Sequence, residues 1–162
     1  MALTDAPESQ APTAPLFGLV GQYIKDLSFE CFRPAFSVQD QAPVFDLQLN
    51  AGAEKLSDEQ YSVHLELKAV GKAKDVEEPV YILELEYVGV FMLKNIPAER
   101  VKEVLAIEGP SQLFPYAREI IMRAIMDGGY RCGIIQPINF AALYIQQQMQ
   151  AAQAAEGQAA VN

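Results

Sequence analysis

An α+β fold, a four-stranded antiparallel sheet with two helices packed on one of its faces, is predicted from three features of the sequence. Four segments alternate apolar and polar side chains with the period of a half-buried strand. Turn residues separate those segments. Beyond Gly89 the apolar period becomes that of helices, and two such stretches follow.

Residues 1–17, rich in Ala, Pro, Ser and Thr, are expected to form a disordered arm. The first alternating run, Tyr23 to Glu30, puts Tyr23, Leu27 and Phe29 on one side of a pleat, with Asp26, Ser28 and Glu30 on the other. Lys25 interrupts the apolar side near an edge. From Val44 to Asn50, Phe45, Leu47 and Leu49 fall together. In the third run Tyr61, Val63, Leu65 and Leu67 oppose Ser62, His64, Glu66 and Lys68. The fourth, Val80 to Met92, sets Tyr81, Leu83, Leu85 and Tyr87 against Ile82, Glu84 and Glu86. Gly52, Asp58, Gly71 and Asp75 mark the connections, and strands in series predict a meander or hairpin sheet.

Pro97 to Val101 is read as a short helical turn or irregular crossover. A helix is expected from about Leu113 to Met126, with Pro115 in its first turn and Gly128-Gly129 ending it. Its apolar positions cover more than one stripe, so it should pack on two sides. The last helix starts after Pro137 with Asn139 as its N-cap, and Phe140, Leu143 and Tyr144 share one face. The folded domain is thus placed at 18–150, and the Gln- and Ala-rich end, whose residues can prolong a helix for a few turns before fraying, gives a disordered tail at 151–162.

A length of 162 residues fits a single domain. The composition is 51% hydrophobic against 20% charged, yet no apolar run is long enough to span a bilayer. The excess must lie in a core, in subunit contacts, or on a surface kept adhesive. A net charge of −9 repels phosphate, which argues against nucleic acid and anionic membrane as partners and favours basic polypeptides. The first residues lack the basic and apolar regions of a signal peptide. Cys31 and Cys132 have no metal or redox spacing and fit reduced thiols in the cytosol.

No catalytic constellation emerges. His64 is the one histidine and reads as a solvated strand residue, and no HExxH, CxxC, GxSxG or phosphate-loop pattern occurs. Glu77-Glu78, Glu84 and Glu86 are explained by a loop pair and a wet strand face. The protein is therefore read as no enzyme, without cofactor or metal. Tyr23, Phe29, Phe45, Phe140 and Tyr144 lie on apolar faces. Core packing explains them on periodicity alone; the alternative is a groove for extended apolar peptide.

Four segments together resemble SecB, the bacterial protein-export chaperone family. They are Tyr23-Ile24-Lys25-Asp26-Leu27-Ser28-Phe29-Glu30, Phe45-Asp46-Leu47-Gln48-Leu49, Leu113-Phe114-Pro115-Tyr116-Ala117-Arg118-Glu119, and Pro137-Ile138-Asn139-Phe140-Ala141-Ala142-Leu143-Tyr144. Their order and separation match over about residues 20–150. The resemblance implies a homotetramer, built as a dimer of dimers. It also implies a cytoplasmic holdase that passes non-native precursors to the SecA motor ATPase, with no cofactor. The family's client-binding positions fall on Phe45, Leu47, Leu49, Phe140 and Tyr144, with Tyr23 nearby. Its acidic SecA-binding surface falls on Asp26, Glu30 and Glu84. Two departures stand out: Gln41 lies near a position where some members carry a groove Trp, and the tail has no Lys or Arg. Other readings are a small-molecule carrier or enzyme on a curved sheet, which needs a closed polar pocket, and an adaptor whose apolar surface serves only self-assembly.

Overall fold

The four alternating segments form strands β1 (Leu16–Cys31), β2 (Val44–Lys55), β3 (Gln60–Lys72) and β4 (Pro79–Lys94). The computed structural model describes residues 14–38, 43–74 and 76–159, with side chains as far as residue 153. Residues 1–13 of the expected arm, and also Gln41, Asp75 and the last three residues, lie outside the described residues. Leu16 and Phe17, assigned to the arm from sequence, belong to β1. The Phe17 ring stacks on Phe91 with centroids 4.8 Å apart.

Every neighbouring pair is antiparallel, as expected. The order is not that of a simple meander: it runs β1-β4-β3-β2. Hairpins join β2 to β3 and β3 to β4, while β1 lies on the far side of β4 in Greek-key fashion. The segment that leaves β1 at Cys31 therefore leads to a strand on the opposite edge of the sheet. Backbone amides of Phe32 and Arg33 both donate to the Val80 carbonyl, at 3.0 and 3.2 Å, and tie down its start. A short 3-10 turn, Ala35–Ser37, follows, and Ala35 and Val38 pack against the core.

Two register shifts in β1, between Leu19 and Gly21 and between Ile24 and Asp26, change which side chains share a face. The second shift corrects the sequence reading. Leu27 and Phe29 pair with Leu85 and Leu83 on the inner face, but Tyr23 pairs with Val88 on the outer one. Lys25 is the extra residue of that bulge, so the alternation restarts out of phase at Asp26.

The helical half differs more. Helix α1 runs unbroken over Ala98–Asp127, not from 113, and includes the segment read as a crossover. Pro110 and Pro115 both lie inside it. A helix-interior proline removes a hydrogen bond and costs about 3 kcal/mol, so the local sequence argues for a break. Burial outweighs it here. Leu105, Gly109, Leu113, Ala117, Ile121 and Ile125 recur every fourth residue and are all buried. That stripe lies on Val63, Leu65, Leu67 and Ala69 of β3 and Tyr81, Leu83, Leu85, Tyr87 and Phe91 of β4. Gly128 and Gly129 end the helix as expected: the Gly128 amide donates to Ala124 O at 2.9 Å, and Gly129 takes φ +86°.

Helix α2 spans Phe140–Ala159 and so runs into the segment assigned to a disordered tail. Asn139 caps it, its Oδ1 accepting from the Ala142 amide at 3.0 Å. Helix α2 packs mainly on α1, on the same side of the sheet. The sheet's inner face is thus covered down its centre by one helix, with the second laid against that helix.

Gly109 marks a close approach of α1 to the sheet. A Cβ built there would lie 2.7 Å from Val63 Cγ2, and Val63 is fully buried and cannot retreat. Alanine would gain up to about 1 kcal/mol in helix propensity, whereas overpacking costs about 1–3 kcal/mol. Gly109→Ala should therefore lower the free energy of unfolding by about 1–2 kcal/mol in urea titrations. An unchanged or raised stability would show that the contact is loose.

Candidate binding grooves and an acidic face

The inward side chains of β2, from Phe45 through Leu47, Leu49, Ala51 and Ala53 to Lys55, form one row at the sheet's edge. With a rise of about 3.4 Å per residue, Phe45 to Ala53 spans roughly 27 Å. Helix α1 lies over β3 and β4, so this row is only partly covered. Phe45, Leu47 and Leu49 are half-buried, packed on the core along one flank. Two grooves lie along the row.

The first, about 450 Å³, is bounded by Val44, Phe45 and Leu47 on one side and by Gly133 to Ile138 of the α1–α2 connection on the other. Val44 and Ile134 stand at its rim with 76% and 80% of their surface exposed, so its lip is apolar and wet. The connection is held from beneath. Arg118 donates to the Ile135 carbonyl at 3.3 Å, and the buried Tyr130 hydroxyl lies against the carbonyls of Arg33 and Val80 and the Cys31 thiol. Tyr130 also meets the Tyr81 ring with centroids 4.8 Å apart. Burial pushes the Tyr81 hydroxyl up to about 12.

The second groove, about 630 Å³, lies between β2, the first turns of α1 and α2. Its walls include Ala51, Ala53, Tyr61, Val101, Leu105 and Tyr144, with Lys55, Lys102, Gln147 and Gln148 at the mouth. Small side chains on β2 make this space, since alanine leaves a hollow where the preceding positions carry Phe and Leu.

The structure therefore brings together Phe45, Leu47 and, through the shared row, Leu49; Tyr144 sits in the second groove. It does not bring in the other two expected positions. Phe140 is 4% exposed, and its ring meets Phe114 edge-on at 5.8 Å. That contact fixes α2 on α1, which makes Phe140 a core residue and not a groove wall. Tyr23 stands on the opposite face, on the edge strand farthest from β2. Ile134, Ile138 and Val44 were missed. The signal was there: an apolar pair, Ile134-Ile135, in a connection with no period to bury it.

The outer face of the sheet carries the acids. Asp26 of β1, Glu86 of β4 and Glu66 of β3 lie directly opposite one another across adjacent strands, with Asn50 of β2 completing the row. The next row is Ser28, Glu84, Lys68 and Gln48, and Glu30 is one row farther, beside Ile82. Like charges in register repel, and neighbours relieve most of them. Lys25 Nζ donates to Glu86 Oε1 at 2.8 Å, and His64 Nδ1 reaches the same oxygen at 3.0 Å. Together they hold the Glu86 carboxyl below its ordinary value, the lysine hydrogen bond first and the histidine second. Asn50 donates to Glu66 at 3.0 Å and Lys68 to Glu84 at 2.6 Å. Asp26 and Glu30 have no ion pair among the described residues. His64 is half-buried and also bonded to Ser62 Oγ at 3.0 Å, not simply solvated. Among the described residues no three His, Cys, Asp or Glu side chains gather as metal ligands, and no helix is long and apolar enough to cross a membrane.

Comparison with known proteins places the chain in a family. The family model described as preprotein translocase subunit SecB matches residues 10–151. The protein-export protein SecB of Bradyrhizobium diazoefficiens is 41% identical over 155 residues, 94% of each chain. That of Magnetococcus marinus is 38% identical over 157 residues, 95% of this chain and 99% of the relative. Among solved structures, a Mycobacterium tuberculosis SecB-like chaperone in complex with an antitoxin peptide superposes with a TM-score of 0.64. It shares 12% identity and covers 75% of this chain and 90% of its own, so the likeness is one of fold. With the family model and the export-protein relatives spanning nearly the whole sequence, this chain belongs to the SecB family.

Proposed function

We propose that this protein is an ATP-independent holdase: a cytosolic homotetramer, a dimer of dimers, that keeps non-native precursor polypeptides extended and delivers them to the SecA motor. The observation that carries this reading is the solvent-open apolar row along β2, with a groove at each end. Membership of the SecB family supports it. So does the sixteen-residue β1, an edge strand whose apolar residues Leu19, Val20, Ile24 and Leu27 stay exposed in the single chain, as an assembly surface would.

The physical task is to bind many sequences without committing to one. Buried apolar area contributes about 25 cal/mol per Å², less the cost of ordering the client. Each groove alone is a weak site for a short apolar stretch. Several grooves on one tetramer, reached by one long chain, raise the apparent affinity by about 10²–10⁴. Because each contact is weak, a competing receptor can peel the client away stepwise, and release needs no nucleotide here. The acidic outer face, carrying Asp26, Glu30 and Glu84, suits a basic docking surface on SecA and leaves the grooves free. Catalysis is not part of this reading. An enzyme needs polar groups converging in an enclosed pocket, whereas Glu66, Glu84 and Glu86 are already bonded to neighbours on an open sheet surface.

Changing Phe45, Leu47 and Leu49 together to Ala should weaken binding of an unfolded precursor about 100-fold by calorimetry, since half-buried apolar groups contribute about 1 kcal/mol each. Wild-type affinity in a variant that keeps its thermal transition would remove these residues from the groove. The charge-reversed variant Asp26→Lys, Glu30→Lys, Glu84→Lys should bind SecA at least tenfold more weakly while precursor affinity is unchanged. Loss of both activities at once would point to misfolding and count against a separate docking face.

A further inference from the structure

Asp26, Glu66, Glu84 and Glu86 border one depression of about 500 Å³ on the outer face, and Lys68 is the cation among them. Its ammonium lies 2.6 Å from Glu84 Oε1, with both side chains about half exposed. The pair is in direct cross-strand register, and Glu66 is two residues before Lys68 on the same face of β3. Lys68 thus stands where the lysine or arginine of an approaching partner would have to sit to reach Glu84.

We propose that Lys68 is a built-in competitor for the docking face: it occupies Glu84 in the free protein and lowers the affinity for a basic partner. This rests on the reading that SecA docks through Asp26, Glu30 and Glu84. Those three acids are not equivalent in the structure. Asp26 and Glu30 carry no ion pair among the described residues and can receive a partner's cation at once. Glu84 can do so only by exchanging one ion pair for another, so the net gain at that position is small. A reversible carrier gains from that arrangement, because docking through Asp26 and Glu30 holds the partner while Glu84 adds little residence time. Two other lysines of this face are placed differently. Lys25 serves Glu86, and Lys72 is bound to Asp46 at 2.7 Å at the far edge, outside the depression.

The test measures SecA affinity by surface plasmon resonance at about 0.15 M salt, with the full-length chain. Lys68→Met should bind SecA about two- to fivefold more tightly, the size expected when an exposed ion pair no longer has to be broken. Lys72→Met removes the same charge from the same face and should gain clearly less. Lys68→Arg keeps the pair and should match wild type. In a Glu84→Gln background Lys68→Met should give no gain, because the carboxylate it frees is gone. Precursor binding should be equal in all of these variants, which also reports that each is folded. Unchanged or weaker SecA binding by Lys68→Met overturns the inference, as does an equal gain from Lys72→Met or in the Glu84→Gln background. Asp26→Lys with Glu30→Lys separates the two levels. If it abolishes binding while Lys68→Met has no effect, docking stands and the competitor fails. If it binds as wild type does, the docking face itself is wrong and the competitor falls with it.

Discussion

The seating of α1 on the middle of the sheet governs everything else. A thirty-residue helix is about 45 Å long but only about 10 Å wide with its side chains. Four strands at about 4.8 Å spacing are wider than that. One helix laid over β3 and β4 therefore seals the centre and leaves the inward side chains of β2 half covered. The close approach at Gly109 and the stripe of six buried residues from Leu105 to Ile125 fix where the helix lies. Once that is set, Phe45, Leu47 and Leu49 cannot be fully buried, and the connection from α1 to α2 becomes the far wall of a trough.

The two faces of one sheet then carry separate chemistries. Alternation along each strand sends apolar side chains inward and acids outward, so the half-covered apolar row and the acidic face belong to one sheet without sharing a side chain. On the outer face the crowding of Asp26, Glu86 and Glu66 would be costly if all three were bare. Lys25 and His64 on Glu86, Asn50 on Glu66 and Lys68 on the adjacent Glu84 offset it. Among the described residues, the acids of this face left without an ion pair or side-chain hydrogen bond are Asp26 and Glu30, both on the edge strand.

Much of this was legible in the sequence, and the failures have physical causes. Strands announced themselves because period-two alternation is a local property, and β2's row of Phe45, Leu47 and Leu49 was read correctly as a single face. Strand order was not, since alternation says nothing about neighbours and β1 pairs with a strand about fifty residues away. Tyr23 was placed on the wrong side because one extra residue at Lys25 inverts the phase. The first half of α1 was hidden by Pro110 and Pro115, whose local cost is overridden only by tertiary burial. Phe140 and Tyr144 share a helical face by spacing, yet one packs edge-on against Phe114 and the other faces a groove, a distinction that needs α1 in place. Asn139 and Gly128-Gly129 were legible because caps are read within a single turn.

Hydrogen exchange of backbone amides, compared with and without a saturating unfolded precursor, addresses the central claim most directly. An extended guest lying along the uncovered row should slow exchange at 44–53 of β2 and at 133–138, while the outer-face neighbours of β4 exchange at the same rate as before. Protection confined to the outer face or to β1, with 44–53 and 133–138 unaffected, would contradict the account.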